Sequence, residues 1–103
     1  GVTTLEALWM GVPTISWMGP HFAGRHAAAH MTAAGLGDWV VADLEGYVAL
    51  AVRWATDLEG LASLRAGLRE RVAASPLCDG PRFGRHLGEA LRTMWRDACA
   101  RPR

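Results

Sequence analysis

The sequence predicts an α/β fold that is mostly helical, with one or two short parallel strands. Five segments place apolar residues every three or four positions, which is the spacing of amphipathic helices. Two short apolar runs, Thr14 to Trp17 and Trp39 to Val41, are rich in β-branched and aromatic residues and predict strands. The helical segments and the two runs together predict this fold class.

The first thirteen residues, Gly1 to Pro13, predict a loop, a helix and a tight turn. Thr3 and Glu6 stand three residues apart, as in a capping box. In that motif the hydroxyl accepts from an amide three residues on, and the glutamate accepts from the cap's own amide. Gly11 allows a left-handed end to the helix, and Pro13 prevents its continuation.

A helix that begins at a glycine- and threonine-rich turn is suited to binding an anion. Its first amides have no acceptor inside the helix, and the helix dipole places about half a positive charge there. Thr3 and Thr4 add hydroxyl donors, and Glu6 lies one turn further, where a carboxylate accepts from sugar hydroxyls. Most helices with a threonine cap bind nothing, so the pattern alone leaves a purely structural role open.

The segment from His21 to Ala34 predicts the second helix, which ends at Gly35. His26 and His30 lie four residues apart and therefore share one face, as metal ligands sometimes do. The sequence offers no third ligand, so we expect these two histidines to be packed or solvated.

Three more helices are predicted in the second half, and Asp43, Asp57 and Asp79 stand at their starts. The middle helix carries Arg65 and Arg69 on a charged face that we expect to be solvated rather than to bind a ligand. The last helix has an apolar stripe that we expect to be buried, made of Phe83, Leu87, Ala90 or Leu91, and Met94 or Trp95.

The segment Gly1-Val-Thr-Thr-Leu-Glu-Ala-Leu-Trp-Met-Gly-Val-Pro13 resembles a stretch of the O-GlcNAc transferase family, G-T-T-T-x-[ED]-A-L-W-x-G-[VT]-P. The SPINDLY-like enzymes of bacteria and plants belong to this family. Further segments resemble the family in the same order, namely Trp17 to Arg25, Ala33 to Leu36, Asp43 to Ala51, Ser75 to Asp79 and Leu91 to Trp95. Several motifs in the right order are more specific than any one of them.

The resemblance implies that the chain is the C-terminal portion of a Rossmann-like domain of a glycosyltransferase B fold. Residues 1–97 would be the C-terminal part of the nucleotide-sugar-binding domain, and residues 98–103 a frayed tail. The upstream catalytic half and any tetratricopeptide repeats would be absent from this chain. The sequence predicts only one or two short strands, and we expect that these cannot make a parallel sheet by themselves. The small number of strands therefore agrees with a chain that is the C-terminal part of a longer domain.

The resemblance also implies site residues. In the family, the threonine-rich turn contacts the donor diphosphate and the acidic residue of the helix contacts the ribose. Carried over by position, the diphosphate candidates are Gly1, Val2, Thr3 and Thr4, and the ribose candidate is Glu6.

Arg25 stands at the family's arginine and is a possible support for the donor, although a structural salt bridge is an equally open role. Val2 stands where the family usually has threonine, which keeps the amide and removes one hydroxyl. Gly24 stands where the family usually has serine, in the middle of the second predicted helix.

The activity that the resemblance implies is glycosyl transfer, typically from UDP-N-acetylglucosamine to a Ser or Thr hydroxyl of a protein; plant SPINDLY uses GDP-fucose. We expect no catalytic residue in this chain, no activity of the chain alone, and donor binding without a metal or other cofactor. Two alternatives stay open. One is a different glycosyltransferase of the same fold, and the other is a helical interaction module that has lost catalysis, degenerate at Val2 and Gly24.

Composition argues against several other partners. The formal net charge is +1 and all eleven basic residues are arginine, so there is no basic field that would indicate nucleic acid. No apolar run approaches the ~20 residues of a membrane span, and no signal peptide is evident. Cys78 and Cys99 are isolated, which is typical of a reducing cytoplasm, although a disulfide between them stays open.

Overall fold

A computed structural model describes residues 1–102 of the chain. Within this range the helices and strands are α1 (Val2–Trp9), β1 (Ser16–Trp17), α2 (His26–Ala33), β2 (Val40–Val41), α3 (Leu44–Ala55), α4 (Leu58–Ala73) and α5 (Gly80–Ala100). Short 3-10 turns precede α2 (Phe22–Arg25), β2 (Gly37–Trp39) and α5 (Pro76–Cys78).

The two strands pair in parallel, with Ser16 opposite Val40 and Trp17 opposite Val41. The prediction of a mostly helical α/β fold with one or two short parallel strands is therefore confirmed. The expectation that no parallel sheet could form is wrong for two strands. The segment between them contains α2 and is long enough to return the chain to the same end of the sheet, as a parallel crossover requires.

The core lies where α1, α2 and α4 meet. Leu8, Met31 and Leu68 each come from one of these helices and are fully enclosed. Trp39 closes the core beside β2 and stacks on Trp54 of α3, with ring centroids 4.8 Å apart. This packing fixes α1 against α2, which determines what surrounds the start of α1.

Asp43 and Asp79 cap helices as predicted, and Asp57, predicted to stand at the start of a helix, caps it too. The side chains of Asp43, Asp57 and Asp79 each accept from the amide three residues later, at distances of 2.7, 3.0 and 3.1 Å. These caps satisfy amides at the starts of α3, α4 and α5 that have no acceptor within the helix. Capping depends on neighbouring residues only, so the sequence was sufficient to predict it.

The second helix begins later than the sequence predicts. Residues Phe22–Arg25 form a 3-10 turn, and α2 begins only at His26. Gly24 therefore does not lie in the middle of a helix. The amide of Gly19 donates to the Gly24 carbonyl oxygen at 3.0 Å, and a Cβ on Gly24 would lie only 3.2 Å from the Gly19 Cα. This close approach of two backbone segments favours glycine at position 24.

The last helix projects from the rest of the molecule, and its apolar stripe is exposed. Its large members are 46–71% accessible to solvent: Phe83, Leu87, Leu91, Met94 and Trp95. The prediction of a buried stripe is wrong for this chain, because α5 packs mainly on the 3-10 turn before it. The helix continues to Ala100, so the first three residues of the predicted frayed tail are helical. Residue 103 of that tail lies outside the described residues.

Candidate anion-binding site

Two arginines of α4 hold the C-terminal end of α1. Arg65 Nε donates to the Gly11 carbonyl oxygen at 2.8 Å, and Arg69 Nε donates to the Trp9 carbonyl oxygen at 2.7 Å. The Arg69 guanidinium also lies over the Trp9 indole, 5.1 Å from its centroid. Cationic donors satisfy the last carbonyls of a helix and interact favourably with its dipole. Both arginines are exposed, as predicted, and in addition each donates to the end of α1.

A buried leucine and a glycine complete this anchor. Leu8 is fully enclosed in the core. Gly11 has φ +77°, the left-handed conformation predicted for the end of α1, and a Cβ there would meet the Arg65 carbonyl oxygen at 3.2 Å. The C-terminal end of α1 is consequently fixed, and the helix presents its other end outwards.

The start of α1 is open. Gly1, Val2 and Thr3 are exposed, and Thr4 is half-buried. The first helical hydrogen bond runs from the Leu5 amide to the Gly1 carbonyl oxygen at 3.5 Å, so three amides before Leu5 have no acceptor among the described residues. The four predicted diphosphate residues therefore lie together at one open helix end.

Glu6 does not close a capping box. The N-cap is Gly1, without a side-chain hydrogen bond, and Thr3 lies inside the first turn. The capping-box prediction is wrong because the helix begins two residues earlier than it requires. Glu6 is exposed one turn along α1. Its carboxylate therefore has no capping role that would compete with ligand binding.

Two histidines of α2 face the same end of α1. A Cβ built on Gly1 would lie 3.3 Å from His26 Nδ1 and 3.7 Å from His30 Nε2. These histidines and the exposed Arg25 also line a cavity of about 600 Å³. Its remaining wall is formed by Pro20, Phe22 and Ala29. The structure thus brings the two histidines next to the predicted diphosphate residues, although the sequence indicated only that they share a face.

Burial is the largest influence that lowers the pKa of His30 below the ordinary histidine value of 6.5. The positive charge of the Gly1 amino group lowers this pKa further, as does neighbouring His26, whose ring centroid is 6.5 Å away. His30 is therefore neutral at pH 7 in the absence of a ligand.

The described residues give the histidine pair no partners for a metal. Within residues 1–102, no three His, Cys, Asp or Glu side chains lie close enough together to hold a metal ion. Cys78 and Cys99 are both exposed free thiols, so the structure does not contain the disulfide that the sequence left open.

Sequence reasoning missed the two features that surround α1. Arg65 and Arg69 lie 54 and 60 residues from the carbonyls to which they donate. Their spacing of four indicates that they share a face of α4, but it carries no information about the element that this face meets. The approach of His26 and His30 to Gly1 likewise depends on how α2 packs on α1.

The parallel strand–helix–strand unit places the chain among α/β proteins, and its open helix start suits an anionic ligand. The chain belongs to glycosyl transferase family 41, whose family model matches residues 1–87. The resemblance to the O-GlcNAc transferase family is therefore confirmed.

Curated relatives of the chain are named as transferases of N-acetylglucosamine. It is 42% identical over 97 residues to the probable UDP-N-acetylglucosamine--peptide N-acetylglucosaminyltransferase SPINDLY of Eustoma exaltatum subsp. russellianum, which covers 94% of this chain and 11% of that protein. The protein of the same name from Arabidopsis thaliana is 40% identical over the same shares. The UDP-N-acetylglucosamine--peptide N-acetylglucosaminyltransferase of Caenorhabditis elegans is 30% identical over 91% of this chain and 8% of that protein. The chain thus spans about a tenth of the length of these relatives.

None of the helices described for residues 1–102 is both long enough and apolar enough to cross a lipid bilayer.

Proposed function

We propose that this chain is the C-terminal part of the nucleotide-sugar-binding domain of a longer glycosyltransferase of the B fold. Its donor is UDP-N-acetylglucosamine, and the acceptor Ser or Thr hydroxyl of a protein is reached through regions outside this chain. The observation that carries the proposal is the open first turn of α1 in a member of glycosyl transferase family 41. The names of the relatives support the choice of donor and acceptor.

The first turn of α1 binds the donor diphosphate. The amides of Val2, Thr3 and Thr4 point out of the helix start, where the dipole is positive, and Thr3 adds an exposed hydroxyl. Val2 has no hydroxyl, but its amide is unaffected by the side chain. Glu6 lies one turn further along the helix, where its carboxylate accepts from the ribose hydroxyls.

This geometry stabilises the leaving group of glycosyl transfer. Negative charge develops on the diphosphate as the bond to the sugar breaks, and fixed amide dipoles aimed at that charge lower the barrier without a metal ion. The chain contributes no general base, so it is inactive alone. The two free thiols, Cys78 and Cys99, favour a reducing cytoplasm as the location.

The intact protein that carries this chain provides the test, with binding of UDP-N-acetylglucosamine measured by calorimetry. Glu6→Gln keeps the size and one acceptor oxygen but removes the charge. Charge-assisted hydrogen bonds contribute roughly 1.5–3 kcal/mol, so donor binding should weaken about ten-fold or more. Thr3→Val removes one neutral donor, and at about 1 kcal/mol should weaken binding about five-fold.

Glu45→Gln is the matched control, because Glu45 is also an exposed glutamate near a helix start, on α3. This variant should bind the donor like the unaltered protein. Unchanged affinity in Glu6→Gln would remove the ribose role. No affinity of the intact protein for any nucleotide sugar would favour a helical interaction module, and preference for a GDP sugar would favour a different glycosyltransferase.

A further inference from the structure

We propose that His26 and His30 form a second wall of the donor site and bind the diphosphate together with the first turn of α1. This inference rests on the proposed function. It adds two binding residues from a different helix, and it predicts that donor affinity rises as the pH falls.

The geometry of the imidazole rings carries the inference. His26 Nδ1 and His30 Nε2 are the atoms nearest to a Cβ built on Gly1, at 3.3 and 3.7 Å. Gly1 is the N-cap of α1, so both nitrogens lie beside the turn that holds the unpaired amides. Both histidines also line the cavity that extends from this point past Arg25. An anion at the helix start is therefore within reach of two imidazoles as well as of the backbone.

The surroundings of His26 determine which of its nitrogens is the better donor. His26 Nε2 is enclosed and has no hydrogen-bond partner among the described residues. An enclosed N–H without an acceptor is costlier than an enclosed lone pair, so the neutral ring carries its hydrogen on Nδ1. Nδ1 is the nitrogen beside Gly1, and a ligand accepting there would use a donor that is already in place.

His30 gives the site its dependence on pH. Its pKa is lowered by burial, by the Gly1 amino group and by His26, so it is neutral at pH 7 without a ligand. A diphosphate beside it favours the imidazolium and raises this pKa. Binding therefore takes up a proton, and the affinity for the donor increases as the pH falls toward the pKa of the unliganded site. In a longer polypeptide, Gly1 would have a peptide bond instead of the amino group, which would remove one of the charges that depress the pKa.

Few other ionisable groups surround His30. The strands β1 and β2, which pack on α2, carry none. The ionisable side chains on α1 and on the 3-10 turns packed against α2 are all exposed, as are those of α4 across the core: Glu6, Arg25, Asp38 and Cys78, and on α4 Glu59, Arg65, Arg69, Glu70 and Arg71. Of these, Glu6 and Arg25 belong to the donor site itself. We therefore assign a proton taken up on donor binding near neutral pH to His30.

The test measures binding of UDP-N-acetylglucosamine to the intact protein by calorimetry at pH 7.5 and pH 5.5. Its diphosphate is esterified at both ends and does not titrate in this range, whereas the free terminal phosphate of UDP would, with a pKa near 6. We expect tighter binding at pH 5.5, by a factor that each unit of pKa change on binding limits to about ten. Calorimetry at pH 6.5 in two buffers of different ionisation enthalpy should show proton uptake on binding.

The variants replace each imidazole with the amide that best matches the nitrogen beside Gly1: His26→Asn for Nδ1 and His30→Gln for Nε2. In the double variant the affinities at the two pH values should agree within about two-fold, because neither imidazole is left to take up a proton. His86→Gln on the exposed face of α5 is the matched control and should keep the full dependence.

Each result decides between the two proposals. Donor binding that is equally tight at both pH values, without proton uptake, overturns the histidine wall and leaves the proposed function intact. A double variant that keeps the pH dependence also overturns it. If the double variant does not fold, proton uptake by the unaltered protein and by His30→Gln still decides the matter. Failure of the unaltered protein to bind at either pH overturns the proposed function and this inference together.

Discussion

At the scale of single residues, four residues outside the first turn of α1 determine how the candidate site is built. Arg65 and Arg69 donate to carbonyls at the end of α1, and Gly11 allows the chain to turn there. Gly24 lets the turn before α2 approach the backbone of Gly19. None of these residues is placed to contact the donor, yet together they hold α1 and α2 in the arrangement that opens the helix start.

The Arg69 contact should have a measurable effect on stability. Arg69→Ala removes a hydrogen bond from a charged donor and the packing over the Trp9 ring, leaving the Trp9 carbonyl to water. Because Arg69 is exposed, the loss should be at the low end for such bonds, about 1 kcal/mol of unfolding free energy. Urea unfolding followed by tryptophan fluorescence measures this change.

Arg96→Ala is the control for that measurement, since Arg96 is an exposed arginine of α5. A surface change of this kind should alter the unfolding free energy by no more than about 0.5 kcal/mol in either direction. If both variants were equally stable, the contacts of Arg69 with α1 would contribute nothing, and its conformation over Trp9 would be one of several.

At the scale of helices and strands, the sequence predicted what neighbouring residues determine and missed what distant packing determines. The aspartates at the helix starts, Asp43, Asp57 and Asp79, are predictable from the sequence because each partner amide lies three residues away. The period of α5 correctly predicted an amphipathic helix. It wrongly predicted burial, since a stripe at helical spacing shows where a partner would lie and not whether this chain supplies one.

Alanine substitutions in a core helix and in α5 should therefore have very different effects on the free energy of unfolding. Leu68 of α4 is fully enclosed, so Leu68→Ala should cost about 2–5 kcal/mol through lost burial and a cavity. Leu91 of α5 is 55% exposed, and Leu91→Ala should stay within about 0.5 kcal/mol. Denaturant unfolding of the two variants makes the comparison. A large loss of unfolding free energy in Leu91→Ala would mean that the apolar stripe of α5 is covered in solution. Because the cover would be another copy of the chain, unfolding would then depend on protein concentration.

At the scale of the whole molecule, the shape is extended. The radius of gyration is 17.6 Å, against about 13 Å for a compact domain of this length, and the extents are 62 × 30 × 18 Å. The longest dimension reflects α5, which projects from the core. The arrangement of the helices also explains why only one part of the candidate site could be predicted from the sequence. Gly1 to Thr4 follow one another in the sequence, whereas His26 and His30 reach them through the packing of α2 on α1.

This shape predicts a chain that is helical but only marginally stable. Eight apolar side chains are buried among residues 1–102, and α5 contributes none of them. A core of this size offsets little of the conformational entropy lost on folding. Circular dichroism of the 103-residue chain should show a helical spectrum that melts broadly and with low cooperativity.

Ending the chain after residue 79 tests how much α5 contributes to this stability. Since α5 buries no side chain, its removal should lower the helical signal and leave the midpoint of the remaining transition nearly unchanged. A sharp, cooperative melt of the 103-residue chain above the ~65 °C upper end of ordinary mesophile domains would contradict marginal stability. That melt would require more buried surface than one copy of the chain provides, so the midpoint should then rise with protein concentration as the exposed stripes of α5 associate.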